Sequence, residues 1–186
     1  GNRTYCDGGI CNWGHHIADN VQWGNNSEHT GPVEIEGHGE FPPLDYLHNG
    51  IQGWEVHYRF ADGVEAFYIN SDRSPSKQPT GIRFEGTEGW VSVVPFQRGE
   101  EGLEAEPKSL LTAEVKPEQF PFELKHEKRD FLDCVKTRGR TLEDAEVGHR
   151  SSSLCQLGYI ACQTGRKLKW DPAAERFTGD DEANRL

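Results

Sequence analysis

Methionine is missing from this sequence of 186 residues, even at position 1, where Gly1 stands. We therefore expect that the sequence does not begin at a native start and that any targeting signal would lie before Asn2. Long hydrophobic runs are missing too, since no segment approaches the ~18 apolar residues that a membrane span needs. We therefore expect no membrane insertion, while cytoplasmic and periplasmic locations both stay open.

Positive charge is scarce. The chain carries 20 Lys and Arg against 31 Asp and Glu, which gives a formal net charge of -11. Proteins that bind the phosphate backbone of nucleic acids rely on clustered Lys and Arg. We therefore expect no nucleic-acid partner.

Disulfide and metal signatures are also lacking. The five cysteines are an odd number without C-x-x-C spacing, and Cys155 and Cys162 read as small apolar residues of one helix. A reducing compartment fits this pattern slightly better than a disulfide scaffold. Cys11, His15 and His16 do not have the spacing of zinc ligands, and no second pair completes a site. We predict no metal site.

What the sequence does contain indicates a folded domain rich in strands and turns. The mean hydropathy is low, at -0.78, but five Trp and 10% aromatic residues argue against disorder. Gly and Pro together number 31, from 21 and 10, which is typical of a chain with many turns. The length suits one domain with its own core, and we assign residues 1–186 to a single domain.

Alternation of apolar and polar residues predicts strands in the middle of the chain. Trp54–Phe60 and Val64–Asn70 flank Asp62-Gly63, a pair that suits a tight hairpin turn. A second hairpin pairs Ile82–Glu85 with Trp90–Val94. Loops are expected at 40–52 and 71–80, and an extended excursion at 106–124. Further short strands are predicted at Val33–Ile35, Leu103–Ala105 and Leu168–Trp170.

Helical spacing predicts a short helix before the strands and two helices after them. The first covers Trp13–Trp23, with Asn12 as its N-cap. The second covers His126–Arg138, and a third begins at the capping-box pattern Thr141–Asp144 and ends at Gly165. Central strands with helices at either end indicate an α+β fold, with an open antiparallel sheet and helices packed on one face as a two-layer sandwich.

The densest group of potentially reactive side chains lies at residues 8–19. On a helix, His16 shares a face with Asn12 and with Asp19. An unperturbed imidazole titrates near ~6.5, so a histidine placed there can move a proton near neutral pH. The alternative, that Asn12 is only an N-cap and His15 and His16 decorate a surface helix, stays open. Trp13 and Trp23 are interpreted as core residues or sugar-stacking walls, with the core favoured.

Residues 8–19 resemble the Gly-Gly-x-x-x-Asp-x-Gly-x-His-x-x-Asp segment of the Gfo/Idh/MocA oxidoreductases. Several other blocks match the same family in a fixed order, which is more specific than any single motif. Together they resemble a branch common in Planctomycetes and Bacteroidetes-like bacteria. These blocks are 31–34, 81–90, 131–136, 146–151, 165–172 and 182–184.

The resemblance implies a two-domain enzyme, of which this chain is the C-terminal domain. An N-terminal Rossmann domain would bind NAD or NADP and supply a catalytic lysine, since this chain has no G-x-G-x-x-G segment. His16 would be the acid/base on the hydroxyl of a sugar, cyclitol or related polyol. Asn12 stands where the family has an acidic residue and cannot exchange a proton. His15, Asp19 and Arg150 would complete the substrate site.

Other functions remain open. A redox-assisted glycoside hydrolase or epimerase of the same superfamily would show no net consumption of cofactor. A non-enzymatic carbohydrate-binding or oligomerisation module would bind sugar without binding NAD(P). Arg150 could instead serve in capping or in a surface ion pair, and Asp19 could be solvated. The resemblance further implies a homo-oligomer through the open sheet face, and relatives in this branch often carry a twin-arginine export signal.

Overall fold

The computed structural model describes residues 2–3, 5, 7–70, 81–94, 102–114, 116 and 125–186. The loop predicted at 71–80 and residues 117–124 of the predicted excursion lie outside these ranges. Within the described part of that excursion, Lys108–Thr112 form a 3-10 helix instead of extended chain. Pro107, whose backbone is fixed in an extended conformation, directly precedes this helix.

Eight strands form two antiparallel sheets. They are β1 Glu34–Glu40, β2 Gly53–Arg59, β3 Glu65–Ile69, β4 Ile82–Gly86, β5 Gly89–Val93, β6 Leu103–Glu106, β7 Leu168–Asp171 and β8 Arg176–Phe177. The larger sheet has the order β3-β2-β1-β7-β8, and β4, β5 and β6 form a separate three-stranded sheet. Both predicted hairpins are confirmed, and the fold is the predicted combination of antiparallel sheet and helices.

The helices are α1 Gly9–Asn12, α2 His15–Gly24, α3 Glu127–Thr137 and α4 Ala145–Thr164. The last two confirm the predictions, although the cap of α4 is Asp144, whose Oδ1 accepts hydrogen bonds from the backbone N–H groups of Glu146 and Val147. Gly165, in the left-handed conformation, ends α4 as predicted.

The predicted helix over Trp13–Trp23 is confirmed as α2, but it begins two residues later, because the chain turns at Trp13 and Gly14. Asn12 is the last residue of α1 and not an N-cap; Gly14 precedes α2 instead. The turn places the backbone of Gly14 directly against α4. A Cβ atom at Gly14 would lie 2.0 Å from the carbonyl oxygen of Ile10 and 2.8 Å from Sγ of Cys155. The close packing therefore requires glycine.

The core lies between α4 and the strands β1 and β2. Tyr58, which is 2% exposed, reaches from β2 to α4 and donates a hydrogen bond from its hydroxyl to the carbonyl oxygen of Leu154 at 3.0 Å. Glycines let the two layers approach: a Cβ at Gly158 would lie 2.2 Å from the Tyr58 hydroxyl, and one at Gly37 would lie 2.7 Å from the backbone nitrogen of Cys162. Backbone and small side chains thus form this interface.

The cysteines of α4 pack as the sequence predicts. Cys155 and Cys162 are buried free thiols, and burial raises the pKa of each to about 12. Thiols with so high a pKa stay protonated and unreactive at neutral pH. No helix in the described ranges combines the length and the apolar character that a membrane crossing needs.

Two glycines of the same helix give opposite predictions for stability. Gly158→Ala should lower the free energy of unfolding by about 1–3 kcal/mol, because the new methyl group collides with the Tyr58 hydroxyl. Gly148→Ala, where nothing lies within 4 Å of the added Cβ, should raise it by about 0.5–1 kcal/mol through the better helix propensity of alanine. Urea unfolding of both variants measures the difference. Equal stabilities would contradict the packing described here.

Candidate functional site

An open cleft lies where α2 packs against α4. It has a volume of about 510 Å³. Three predicted site residues line it from the α2 side, and the loop before α4 and the first turns of α4 form the other wall. The lining residues are His15, His16, Asp19, Glu143, Gly148, Ser151 and Ser152. The cleft thus combines imidazole, carboxyl and hydroxyl groups.

His16 sits in the first turn of α2 and is exposed. Its imidazole lies beside the indole of Trp13, with a ring-centroid distance of 5.6 Å and an angle of 52° between the planes. Its backbone carbonyl accepts a hydrogen bond from the amide of Asn20 at 3.2 Å. The ring is therefore outside the apolar core and faces the cleft, where it can exchange protons with a ligand or with water.

Asp19 connects α2 to the opposite wall of the cleft. The hydroxyl of Ser151, a buried residue of α4, donates a hydrogen bond to Oδ1 of Asp19 at 3.2 Å. The carboxyl of Glu143 is also hydrogen-bonded to Asp19. Asp19 is therefore held by two groups from the far side of the cleft, and its contact with a substrate stays a prediction.

Glu143 has a strongly perturbed acidity. Partial burial is the main cause, and the negative charges of Asp19 and Glu28 add to it; together with the hydrogen bond to Asp19 they raise the pKa of Glu143 to about 7. Two carboxyl groups in hydrogen-bond contact resist double ionisation, so one proton is shared between them in mildly acidic solution. The cleft therefore holds a carboxyl group that keeps its proton until the pH approaches neutrality.

Asn12 and Arg150 lie away from the cleft lining. Asn12 is exposed at the end of α1. The Arg150 side chain is only 13% exposed, and its Nε donates to Glu146 at 2.7 Å. Its Nη1 donates to the carbonyl oxygen of Pro172 at 2.8 Å, and Nη2 pairs with Glu175 at 3.3 Å. This is the ion-pair arrangement stated above as the alternative, and substrate contact by either residue stays a prediction.

The favoured core position of the two tryptophans is wrong. Trp13 is 53% exposed and Trp23 is 42% exposed. The small residues Gly14 and Ala18, not the indoles, face α4, because the helices approach too closely for larger side chains. The exposed Trp13 ring lies beside the imidazole of His16.

Sequence reasoning missed the far wall of the cleft. Glu143 belongs to the capping pattern 141–144, which was interpreted only as a helix start. Ser151 lies within one of the blocks that carry the family resemblance, but no local pattern marks it as a partner of Asp19. Both residues become part of the site only through the packing of α2 on α4.

The chain is similar to known proteins in its sequence family and in its fold. Residues 1–186 match the Gfo/Idh/MocA family model described as an oxidoreductase family, C-terminal alpha/beta domain. The fold is similar to aldose-aldose oxidoreductase from Caulobacter crescentus, a structure complexed with glycerol. The TM-score is 0.58 at 16% identity, over 84% of this chain and 45% of that one.

Two further structures share the fold. WlbA dehydrogenase from Bordetella pertussis, in complex with NADH and UDP-GlcNAcA, gives a TM-score of 0.55 at 15% identity, over 86% of this chain and 45% of that one. An oxidoreductase from Agrobacterium radiobacter, in complex with NAD+, L-tartaric acid and magnesium, gives 0.50 at 12% identity, over 84% and 47%. The chain thus spans about half the length of these proteins. Among curated proteins, none matches the chain.

The acidity of Glu143 predicts a specific pH dependence of stability. Its folded-state pKa of about 7 lies above its ordinary value of 4.5, so between these pH values the folded protein retains a proton that the unfolded chain has lost. Stability contributed by this group therefore decreases as pH rises through that window. Thermal unfolding of Glu143→Gln should show a gain over wild type that grows from about pH 5 to about pH 8. A difference independent of pH would contradict the assignment.

Proposed function

The chain belongs to the Gfo/Idh/MocA oxidoreductases as their C-terminal α/β domain, and we propose that it supplies the substrate pocket and the acid/base histidine of an NAD(P)-dependent enzyme. The substrate class we propose is a sugar, a cyclitol or a related polyol. The observation that supports this proposal is the position of His16, which faces an open cleft lined by hydroxyl and carboxyl groups. Assignment to the branch common in Planctomycetes and Bacteroidetes-like bacteria stays a prediction.

The chemistry divides between cofactor and protein. When bound, the nicotinamide takes the hydride from the carbinol carbon. His16 accepts the proton from the hydroxyl oxygen, so that a carbonyl forms and the proton later passes to solvent through the open side of the cleft. Asp19, Ser151 and Ser152 offer acceptors and donors for the neighbouring hydroxyl groups, and Trp13 offers an apolar face for the sugar ring.

Nucleotide binding would belong to a Rossmann domain preceding this chain. The strand pairings among the described residues are all antiparallel, so the described ranges contain no βαβ unit to hold a pyrophosphate at a helix N-terminus. The structures with a similar fold are about twice as long, and those from Bordetella pertussis and Agrobacterium radiobacter contain NADH or NAD+. These lengths and ligands support a two-domain enzyme in which this domain alone is inactive.

The exposed face of the larger sheet supports a homo-oligomer. Phe67 on β3 is 61% exposed there and stacks on His57 with a ring-centroid distance of 4.4 Å. Around it lie paired charges, among them Arg59 with Glu65 at 2.6 Å. Aromatic residues are enriched at the centre of interfaces, and polar groups surround them at the rim.

Substitution at His16 tests the proposed role in the full-length protein. His16→Ala should reduce turnover roughly 10²–10⁴-fold and leave cofactor affinity unchanged, because the proton acceptor is lost while the nucleotide site is not touched. Steady-state rates and calorimetric NAD(P) titration measure the two effects. His48→Ala, an exposed histidine of the β1–β2 loop, is the control and should be neutral.

Three outcomes would overturn the proposal or change it. Wild-type turnover in His16→Ala removes this histidine from the mechanism. Turnover without net NAD(P)H formation favours the redox-assisted hydrolase or epimerase, to which the Asn12 replacement of an acidic residue already points. Sugar binding by a full-length protein that does not bind NAD(P) favours the non-enzymatic module.

The oligomer is tested at Phe67. Phe67→Glu should shift the full-length protein toward smaller species, because a carboxylate cannot be buried in an interface without a partner. Sedimentation velocity of wild type and variant measures the change. Identical distributions would place the interface elsewhere.

A further inference from the structure

Among the described residues, the lining of the cleft has carboxyl groups but no strongly basic side chain. Its lining contains two carboxyl groups, Asp19 and Glu143, and two imidazoles, His15 and His16, but neither lysine nor arginine among the described residues. Sites that bind sugar phosphates or uronic acids often use arginine or lysine to pair with the anionic group. The walls that this domain contributes have the opposite composition, and the catalytic lysine expected from the Rossmann domain would be added to them.

We propose that Glu143, together with Asp19, determines the charge specificity of the cleft: it admits uncharged and amino-bearing sugars or polyols and rejects uronic acids and sugar phosphates. This inference rests on the proposed function, because it concerns the substrate of the His16 cleft. It goes beyond that function by assigning a specificity-determining role to a residue outside the motif segment.

The geometry keeps both carboxyl groups turned to the cleft. Asp19 is fixed by the Ser151 hydroxyl at 3.2 Å, and Glu143 is hydrogen-bonded to Asp19. Arg140, three positions before Glu143, pairs with Asp144, whose carboxylate also caps α4. Positive charge from that ion pair is therefore not available to a ligand.

The surroundings add negative charge. Glu28, from the loop after α2, and Asp144, from the start of α4, both act on Glu143 and favour its protonated form. On the α2 wall, His15 and His16 are the other titratable groups. An anionic substituent entering the cleft would meet a carboxyl pair with one or two negative charges, whereas hydroxyl and ammonium groups would donate hydrogen bonds to it.

The charge of the pair depends on pH. Below about pH 7, Glu143 retains its proton; above it, Glu143 ionises and adds a negative charge to the cleft. Rejection of anions should therefore strengthen as pH rises through neutrality. A glutamine at 143 imitates the protonated state, so it should differ from wild type mainly at the higher pH.

The experiment compares matched substrates in the full-length protein with saturating cofactor. The probes are trios of aldose, 2-amino sugar and uronate in the gluco, galacto and manno configurations, tested at about pH 6 and about pH 8. We expect wild-type kcat/KM for the uronate to be at least about tenfold below that for the neutral aldose at the higher pH, and Glu143→Gln to remove most of this gap. At the lower pH the two proteins should behave alike.

A matched control and a stability measurement separate specificity from folding. Glu88→Gln removes an equal charge from the exposed β4–β5 turn and should leave every ratio unchanged. Thermal unfolding verifies that Glu143→Gln is folded. A purely structural role of Glu143 would lower all three rates of a trio together, whereas the proposed role changes their ratio.

Each result has one meaning. Uronates used as well as aldoses by wild type, or an unchanged ratio in Glu143→Gln, would overturn the inference and leave the proposed function intact. Turnover of no member of any trio, with cofactor bound, would overturn the proposed sugar substrate and this inference with it.

Discussion

The close approach of α4 to the larger sheet is the constraint from which the site follows. Glycines at 37 and 158 leave no room for a side chain between helix and strands, and the Tyr58 hydroxyl fills the remaining space with a hydrogen bond to the helix backbone. Because α4 is held in this position, α2 packs against a fixed surface. Gly14 meets Cys155 there, and the first turn of α2 is thereby brought opposite the first turns of α4.

The cleft combines two acid–base systems with different surroundings. His16 is open to solvent beside an exposed indole, whereas Glu143 is partly buried and shares a proton with Asp19. Paired groups in unlike environments are a common arrangement in sites that move protons. In the proposed function, the first group acts on the reacting hydroxyl, and the pair recognises the rest of the molecule. The separation leaves chemistry and selectivity to different residues.

Much of the fold could be predicted because its signals are local. Alternation identifies the hairpin of β2 and β3, and a cap and a left-handed glycine mark the ends of α4. The break before α2 could not be predicted, because the Gly14 backbone fits between the carbonyl oxygen of Ile10 and Sγ of Cys155, and Cys155 lies in a helix some 140 positions later in the chain. For the same reason His16 and Asp19 were found from their own segment, while Glu143 and Ser151 were not. Their role depends on tertiary packing that no short pattern encodes.

The two tyrosines of the sheet have a wider consequence. Tyr58 donates to the backbone carbonyl of Leu154 in α4, and Tyr68 donates to that of Ile10 in α1 at 3.1 Å. Both hydrogen bonds are accepted by main-chain carbonyl oxygens. They therefore do not depend on which side chains the two helices carry at other positions. Mutations along the cleft can therefore accumulate on an undisturbed frame. A scaffold of this kind lets descendants acquire new substrates by small steps, each compatible with a folded protein.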